Sequence, residues 1–272
     1  ITEIDRLDIR DLIQPLWTRV PVTAQRLLPR LDQVFEFALA EGLRAGDNPA
    51  DRHQLRKMLP KPSKVHTPKR HKALHYEMMP DFMAGLRKRQ ADAPHAVAPR
   101  ALEFLILTAL RTSEVIKATW DEIDLDAGMW TIPAGRMKIK KRHSGEERAD
   151  HRVPLTERAL HLLRALPREK DNPHVFISRS KTGSGLRNMA MLDLLKNDLG
   201  FKGKATVHGF RSAFRTWAAE ATSYPEELAE IALAHYDDDK TVAASKRTDL
   251  FEKRKPLLAD WAMFLDGKAD AA

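Results

Sequence analysis

The chain has 272 residues, 43% of them hydrophobic, which is enough to bury one large core or a medium core beside a small helical companion, and which excludes wholesale disorder. Lys and Arg number 46 against 38 Asp and Glu, a formal charge of +8 that favours a polyanionic partner. The absence of cysteine excludes disulfide frameworks, cysteine nucleophiles and thiolate metal sites, and fits a reducing, cytoplasmic setting.

The first 58 residues read as helical, with nine basic and nine acidic side chains in balance. Thr23 suits an N-cap, and Leu27, Leu31, Val34, Phe35 and Ala38 then recur at helical spacing as one buried stripe. Pro29 is expected to bend this helix and Gly42 to help end it. Two prolines in Leu59-Pro60-Lys61-Pro62-Ser63-Lys64 break the pattern and mark a linker over residues 59–66. Positive charge begins there, with eight basic and two acidic residues between Lys61 and Arg89; a nucleic-acid backbone and a merely solvated helix face are both open readings of it. A chain that opens on Ile1 rather than Met reads as one that has lost an N-terminal part, and no secretory leader is visible.

The apolar run Phe104 to Leu110 is far shorter than the roughly 20 residues that span a bilayer. It reads instead as a buried helix over 101–110 that delivers Arg111 to the edge of the core. Met129–Pro133 and His151–Leu155 have strand character and flank a polar, basic stretch, Gly135 to Asp150, so a small antiparallel sheet with an exposed basic hairpin is expected. Helices return from Glu157, interrupted by a Ser-, Gly- and Lys-rich loop near Ser178 to Gly185.

The segment Thr206 to Trp217 carries the most chemistry. With Thr206 as its N-cap, a helical period places His208, Arg211 and Arg215 on one side and Phe210, Phe214 and Trp217 on the other. The aromatic side is core. The other presents an imidazole and two guanidinium groups near a helix N-terminus, a setting suited to a phosphate, although ordinary surface cations would look the same in isolation.

Taken together the segments resemble the tyrosine recombinase family, specifically the integrases of prophages and integrative elements. The motifs are Thr108-Ala109-Leu110-Arg111-Thr112-Ser113-Glu114, then Arg136-Met137-Lys138, then His208-Gly209-Phe210-Arg211, then Leu233-Ala234-His235, in the family's order and spacing. Residues Thr23 to Pro49 are similar to the end of that family's helical core-binding domain. The resemblance implies a mainly α fold with a small antiparallel β-sheet, divided into a truncated core-binding segment (1–58), a linker (59–66) and a catalytic domain (67–272) that together clamp duplex DNA. It implies that Arg111 and Arg211 hold the non-bridging oxygens of a scissile phosphate, that Lys138 protonates the departing 5′ oxygen, that His208 handles the nucleophile's proton, and that His235 hydrogen-bonds the phosphate. Glu114 is expected to support the Arg111 turn. Arg136, Lys140, Lys141, Arg142, Arg215, Lys246 and Arg247 are the expected DNA-backbone contacts. Neither metal, ATP nor other cofactor is implied. The partners implied are double-stranded attachment sites, a synaptic homo-tetramer with a monomer or weak oligomer off DNA, and accessory DNA-bending or directionality proteins.

One position departs from the pattern. The family's nucleophile is a tyrosine about ten residues beyond the second histidine, and here Ser245 fills that slot, just before Lys246-Arg247-Thr248-Asp249. A phenol with a pKa of roughly 10 is a workable nucleophile and leaving group; an unactivated serine is neither to the same degree, and it is shorter by a ring. Of the three tyrosines, Tyr76, Tyr224 and Tyr236, only Tyr236 is close in sequence, and as the direct neighbour of His235 its side chain is expected to diverge from it. Little or no strand cleavage is therefore expected. A non-catalytic DNA binder that retains the phosphate pocket is the alternative.

Overall fold

A computed structural model describes residues 1–61, 72–137, 149–235 and 249–267. Lys138, Lys140, Lys141, Arg142, Tyr236, Ser245, Lys246 and Arg247 therefore lie outside the described residues. The chain divides into two compact units, Ile1–Arg70 and His71–Ala272. Mostly helical, it adds a small antiparallel sheet, which is the fold class expected.

The first unit packs α1 (Arg6–Arg19), α2 (Pro21–Ala40) and α3 (Arg52–Met58) around Ile13, Trp17, Leu28 and Leu55. Helix α1 opens with a reciprocal cap: Asp5 accepts from the Leu7 and Asp8 amides, and Asp8 accepts from the Asp5 amide. Helix α2 starts at Pro21, not at Thr23, because proline needs no amide partner in a first turn and already holds the helical φ. Its buried positions are Ala24, Leu28, Phe35 and Ala38, while Leu27 and Leu31 are half-buried and Val34 is 53% exposed. The buried stripe is thus rotated from the one expected. The helix runs on through Pro29, and Gly42, at φ +67°, ends it by allowing the Leu43 amide to reach the Ala38 carbonyl. Leu59 is buried and the Pro60 carbonyl accepts from Trp17 Nε1 at 2.8 Å, so the first two residues of the expected linker belong to this unit's packing.

In the second unit α4 (Met79–Asp92) packs against α5 (Val97–Thr108), which is apolar on nearly every side and forms the centre of the core. Its one buried acid, Glu103, is fully enclosed and accepts from Arg87, Arg158 and Gln90 at 2.6–3.0 Å. A short α6 (Thr112–Ile116) follows. Among the described residues the sheet has three strands in the order β1 (Ile123–Asp124), β2 (Met129–Ile132), β3 (His151–Pro154), with Trp130 opposite Val153 and Ile132 opposite His151. These four side chains are buried, whereas Thr131 and Arg152 face the other way, as a period of two requires.

Helices α7 (Glu157–Arg164), α8 (Ala190–Asp193), α9 (Gly209–Glu220), α10 (Glu226–Ala232) and α11 (Phe251–Leu265) complete the unit. Phe210, Phe214 and Trp217 are buried, as their spacing suggests, and Phe214 and Trp217 pack edge-on and tilted into a cluster with Trp261 and Phe264. Trp261 Nε1 donates to the Ile106 carbonyl at 2.9 Å, fixing α11 to α5. Helix α9 begins two residues later than an N-cap at Thr206 would place it; Thr206 still caps it from outside, its hydroxyl accepting from the Gly209 amide and donating to the Lys72 carbonyl. Gly209 is demanded by packing, since a Cβ there would lie 2.4 Å from the Lys72 carbonyl oxygen.

Candidate active site

Two helix ends in left-handed conformation aim backbone carbonyls at two arginines. Helix α5 ends on Ala109 (φ +51°), whose carbonyl accepts from Arg211 Nη1 at 2.5 Å. Past the end of α10, Ala234 (φ +49°) offers its carbonyl to Arg111 Nη2 at 3.4 Å, and the Leu233 carbonyl accepts from Arg211 Nη2 at 2.6 Å. A non-glycine residue in this region carries strain, and both strained turns converge on one pair of guanidinium groups.

Arg111 precedes α6 and is held by Glu114, which accepts from both its backbone amide (2.8 Å) and Nη1 (3.0 Å), so the support role expected of Glu114 is what the structure has. Arg211, on the first turn of α9, is only 3% exposed. It is not the ordinary surface cation that the helical wheel also allowed: the guanidinium is sunk into the unit, with Nη groups on carbonyls and a buried Nε that has no partner among the described residues. Burial, and then the neighbouring Arg111 charge, push its pKa down to about 10. That depression corresponds to roughly 3 kcal/mol of disfavour for the charged form, which an anion between the two guanidinium groups would relieve.

His235 lies beside them, with Nε2 3.0 Å from Arg211 Nη2 and Nδ1 2.8 Å from Glu230 Oε2. His208 is the exposed residue immediately before α9, one turn ahead of Arg211. Arg111, Arg211 and His235 are thus brought together. Arg136 reaches the same neighbourhood through its hydrogen bond to the Glu114 carbonyl (3.3 Å), but its guanidinium is also paired with Glu122. Arg215, expected to face an anion, instead pairs with Glu226 and Glu230. Arg136 and Arg215, both expected to contact DNA, thus carry guanidinium groups already engaged within the protein.

Three further participants gave little sign in the sequence. Glu230 reads there as an ordinary helix-surface acid. Asp249 accepts a bidentate fork from Arg152 (2.7 and 2.8 Å) and, through its carbonyl, a bond from the fully buried Arg254 (2.8 Å), which ties the residue ahead of α11 to β3 and to α11 itself. His151 is 1% exposed; burial, with the Arg254, Arg111 and Arg211 charges and against the pull of Asp249, takes its pKa down to about 3. Among the described residues no group of acidic or histidine side chains is arranged to hold a metal ion, and no helix is long and apolar enough to cross a membrane.

Residues 72–244 match the Phage integrase family, and residues 1–54 match the Phage integrase central domain. The chain is 31% identical over 265 residues to prophage integrase IntA of Escherichia coli (strain K12), covering 96% of this chain and 59% of that protein. It is 28% identical to the integrase of Enterobacteria phage P4, over 72% of this chain and 46% of that one. It therefore spans about three fifths or less of the length of these relatives. Among solved structures, a lambda integrase fragment captured as a dimer bound to a COC' core site superposes with a TM-score of 0.57 at 17% identity, over 88% of this chain and 81% of that one. The Tn1549 transposon integrase in complex with circular intermediate DNA gives 0.52 at 16%, over 90% and 86%. With the family match covering more than half the chain and the paired arginines at its centre, the chain belongs to the phage integrase family.

Proposed function

We propose that this chain is the catalytic part of a site-specific DNA recombinase that grips one backbone phosphate between Arg111 and Arg211, and that with serine at position 245 it binds DNA but does not cut it. The observation that carries the reading is the buried Arg211 guanidinium beside Arg111, with an Nε that no described residue satisfies. Two adjacent cations with a single carboxylate, Glu114, on the first of them form a cradle for a dianion, and preorganised donors aimed at developing negative charge supply much of the rate of phosphoryl transfer.

On this reading Arg111 and Arg211 stabilise the pentavalent transition state, His235 adds a third contact to the phosphate, His208 handles the nucleophile's proton and Lys138 protonates the 5′ oxygen. Lys140, Lys141, Arg142, Lys246 and Arg247 contact the DNA backbone. Attack by a tyrosine at position 245 would form a 3′-phosphotyrosyl bond and release the 5′ hydroxyl, without metal or ATP. Assembly as a tetramer on DNA in the bacterial cytoplasm belongs to the same reading; a lambda integrase tetramer bound to a Holliday junction is among the structural neighbours. Ser245 itself favours one other reading, a non-catalytic DNA binder that competes with an active integrase.

The test compares the chain with its Ser245→Tyr variant on a nicked suicide duplex carrying a candidate attachment site. A covalent protein–DNA adduct in the tyrosine variant alone is the expected result. An adduct in the chain as it stands would overturn the inactive reading, and no adduct in either, on DNA that is bound, would favour the binder.

A further inference from the structure

Arg215 lies one helical turn beyond Arg211 on α9, yet its guanidinium turns to α10, where Nη2 donates to Glu226 at 2.7 Å and Nε to Glu230. Glu230 then uses its other oxygen to accept from His235 Nδ1 at 2.8 Å, and its backbone carbonyl accepts from the His235 amide at 2.9 Å. On the far side of the ring, Nε2 sits 3.0 Å from Arg211 Nη2. A guanidinium has no acceptor, so Nε2 accepts and the ring's one proton is on Nδ1. The imidazole is neutral in this arrangement and is clamped at both nitrogens.

The charged groups around the ring divide by sign. Partial burial, and then Arg211 on α9 and Arg111 ahead of α6, disfavour a second proton; Glu230 on α10, steadied by Arg215, favours it. Glu230 is held ionised by Arg215 and His235 despite its own partial burial. A histidine whose Nδ1 is given to a carboxylate can donate to an anion only if Nε2 is protonated as well.

We propose that Glu230, itself held by Arg215, is a positioning residue that fixes the ring orientation and proton placement of His235, so that an anion entering between Arg111 and Arg211 meets a doubly protonated ring that donates through Nε2. The anion neutralises the two guanidinium charges and takes the Arg211 donor, while Glu230 stays in place. The second proton comes from solvent and ends on Nε2. This inference rests on the phosphate-pocket reading given above, but it assigns Arg215 and Glu230 to the histidine and not to DNA.

The experiment uses the whole chain labelled with ¹⁵N in histidine and titrated with sodium sulfate near pH 7 at constant ionic strength, sulfate remaining a dianion throughout. His235 resonances are identified by their loss in His235→Gln. Without sulfate, Nδ1 should resonate as a protonated nitrogen and Nε2 as an unprotonated one; with sulfate both should become protonated, and calorimetry in buffers of different ionisation heat should record uptake of up to about one proton. In Glu230→Gln, sulfate should still bind but the ring should stay neutral and the uptake disappear. Arg215→Gln, a change at a half-exposed side chain, should reduce the uptake while leaving the fold intact, and it decides the matter if Glu230→Gln does not fold. Sulfate binding with unaltered His235 tautomer and proton uptake in both variants would overturn this inference alone. Sulfate that perturbs no His235 resonance would overturn the phosphate-pocket reading and this inference with it.

Discussion

Two glutamates in the second unit each gather several donors, and they do different work. Glu103 is wholly enclosed beneath α4, α5 and α7, with both oxygens filled by Arg87, Arg158 and Gln90, and it touches no site residue. Glu230 is about a quarter exposed, holds one arginine, and spends its second oxygen on His235. The buried hub secures three helices; the partly exposed one orients a ring. Burial sets what each is worth to stability, and the identity of the last partner sets what each is worth to function.

The largest effect should come from breaking the buried hub. Glu103→Ala removes the buried carboxylate shared by Arg87, Arg158 and Gln90; Arg87 keeps Asp266, but Arg158 and Gln90 lose their acceptor, and removing one partner of a buried ion cluster costs up to about 3–5 kcal/mol. Chemical denaturation should show that loss, whereas sulfate affinity of the folded fraction should be unchanged. If Glu103→Ala weakened sulfate binding as strongly as Arg211→Ala, the division drawn between the two glutamates would fail.

Next in size is an acid effect from His151. Its folded pKa of about 3 lies below the ordinary histidine value near 6.5, so the unfolded chain binds more protons between those limits and stability falls as pH drops through that window. Between pH 6.5 and 5 the loss should be about 2 kcal/mol. Glu103 and Asp249, whose pKa values are lowered by their arginines, contribute stability that is lost only at more acidic pH, so this interval isolates histidine, with a smaller share from the half-exposed His235. Urea unfolding of His151→Gln should show a flatter slope over the same interval; an unchanged slope would place the acid sensitivity elsewhere.

These side chains also mark where sequence reading succeeds. The buried α5 run, the strand pair and the aromatic face of α9 follow from pattern alone, and motif resemblance singles out Arg111, Arg211 and His235, which the fold brings side by side. Periodicity could not say that Arg211 is sunk into the core or that Arg215 is not its twin, because a helical wheel gives direction but not depth or partner. Glu230 was invisible because its role depends on α10 meeting α9. Thr23 misled because Pro21 already starts α2 ahead of it, and Val34 because the apolar spacing gave no sign that its face of α2 is left uncovered while the face of Ala24 and Leu28 is buried.

The smallest expected effect tests whether backbone strain or side-chain chemistry shapes the site. Ala234 holds φ +49° while 3% exposed, one residue before His235, and its carbonyl faces Arg111. Glycine there would relieve about 1–2 kcal/mol of left-handed strain. It would forfeit roughly 0.5–1 kcal/mol in chain entropy and about 0.8 kcal/mol of buried methyl. The thermal midpoint of Ala234→Gly should therefore barely move. Ala234→Val should lose about 1–3 kcal/mol, because a β-branched side chain is a true outlier in this region. The anion response separates the causes: if the turn only needs a left-handed backbone, Ala234→Gly keeps full sulfate affinity and the same His235 tautomer. If the Ala234 methyl itself packs the turn against the arginines, affinity falls while stability does not, and the Arg215–Glu230 clamp is then not sufficient by itself to hold the ring.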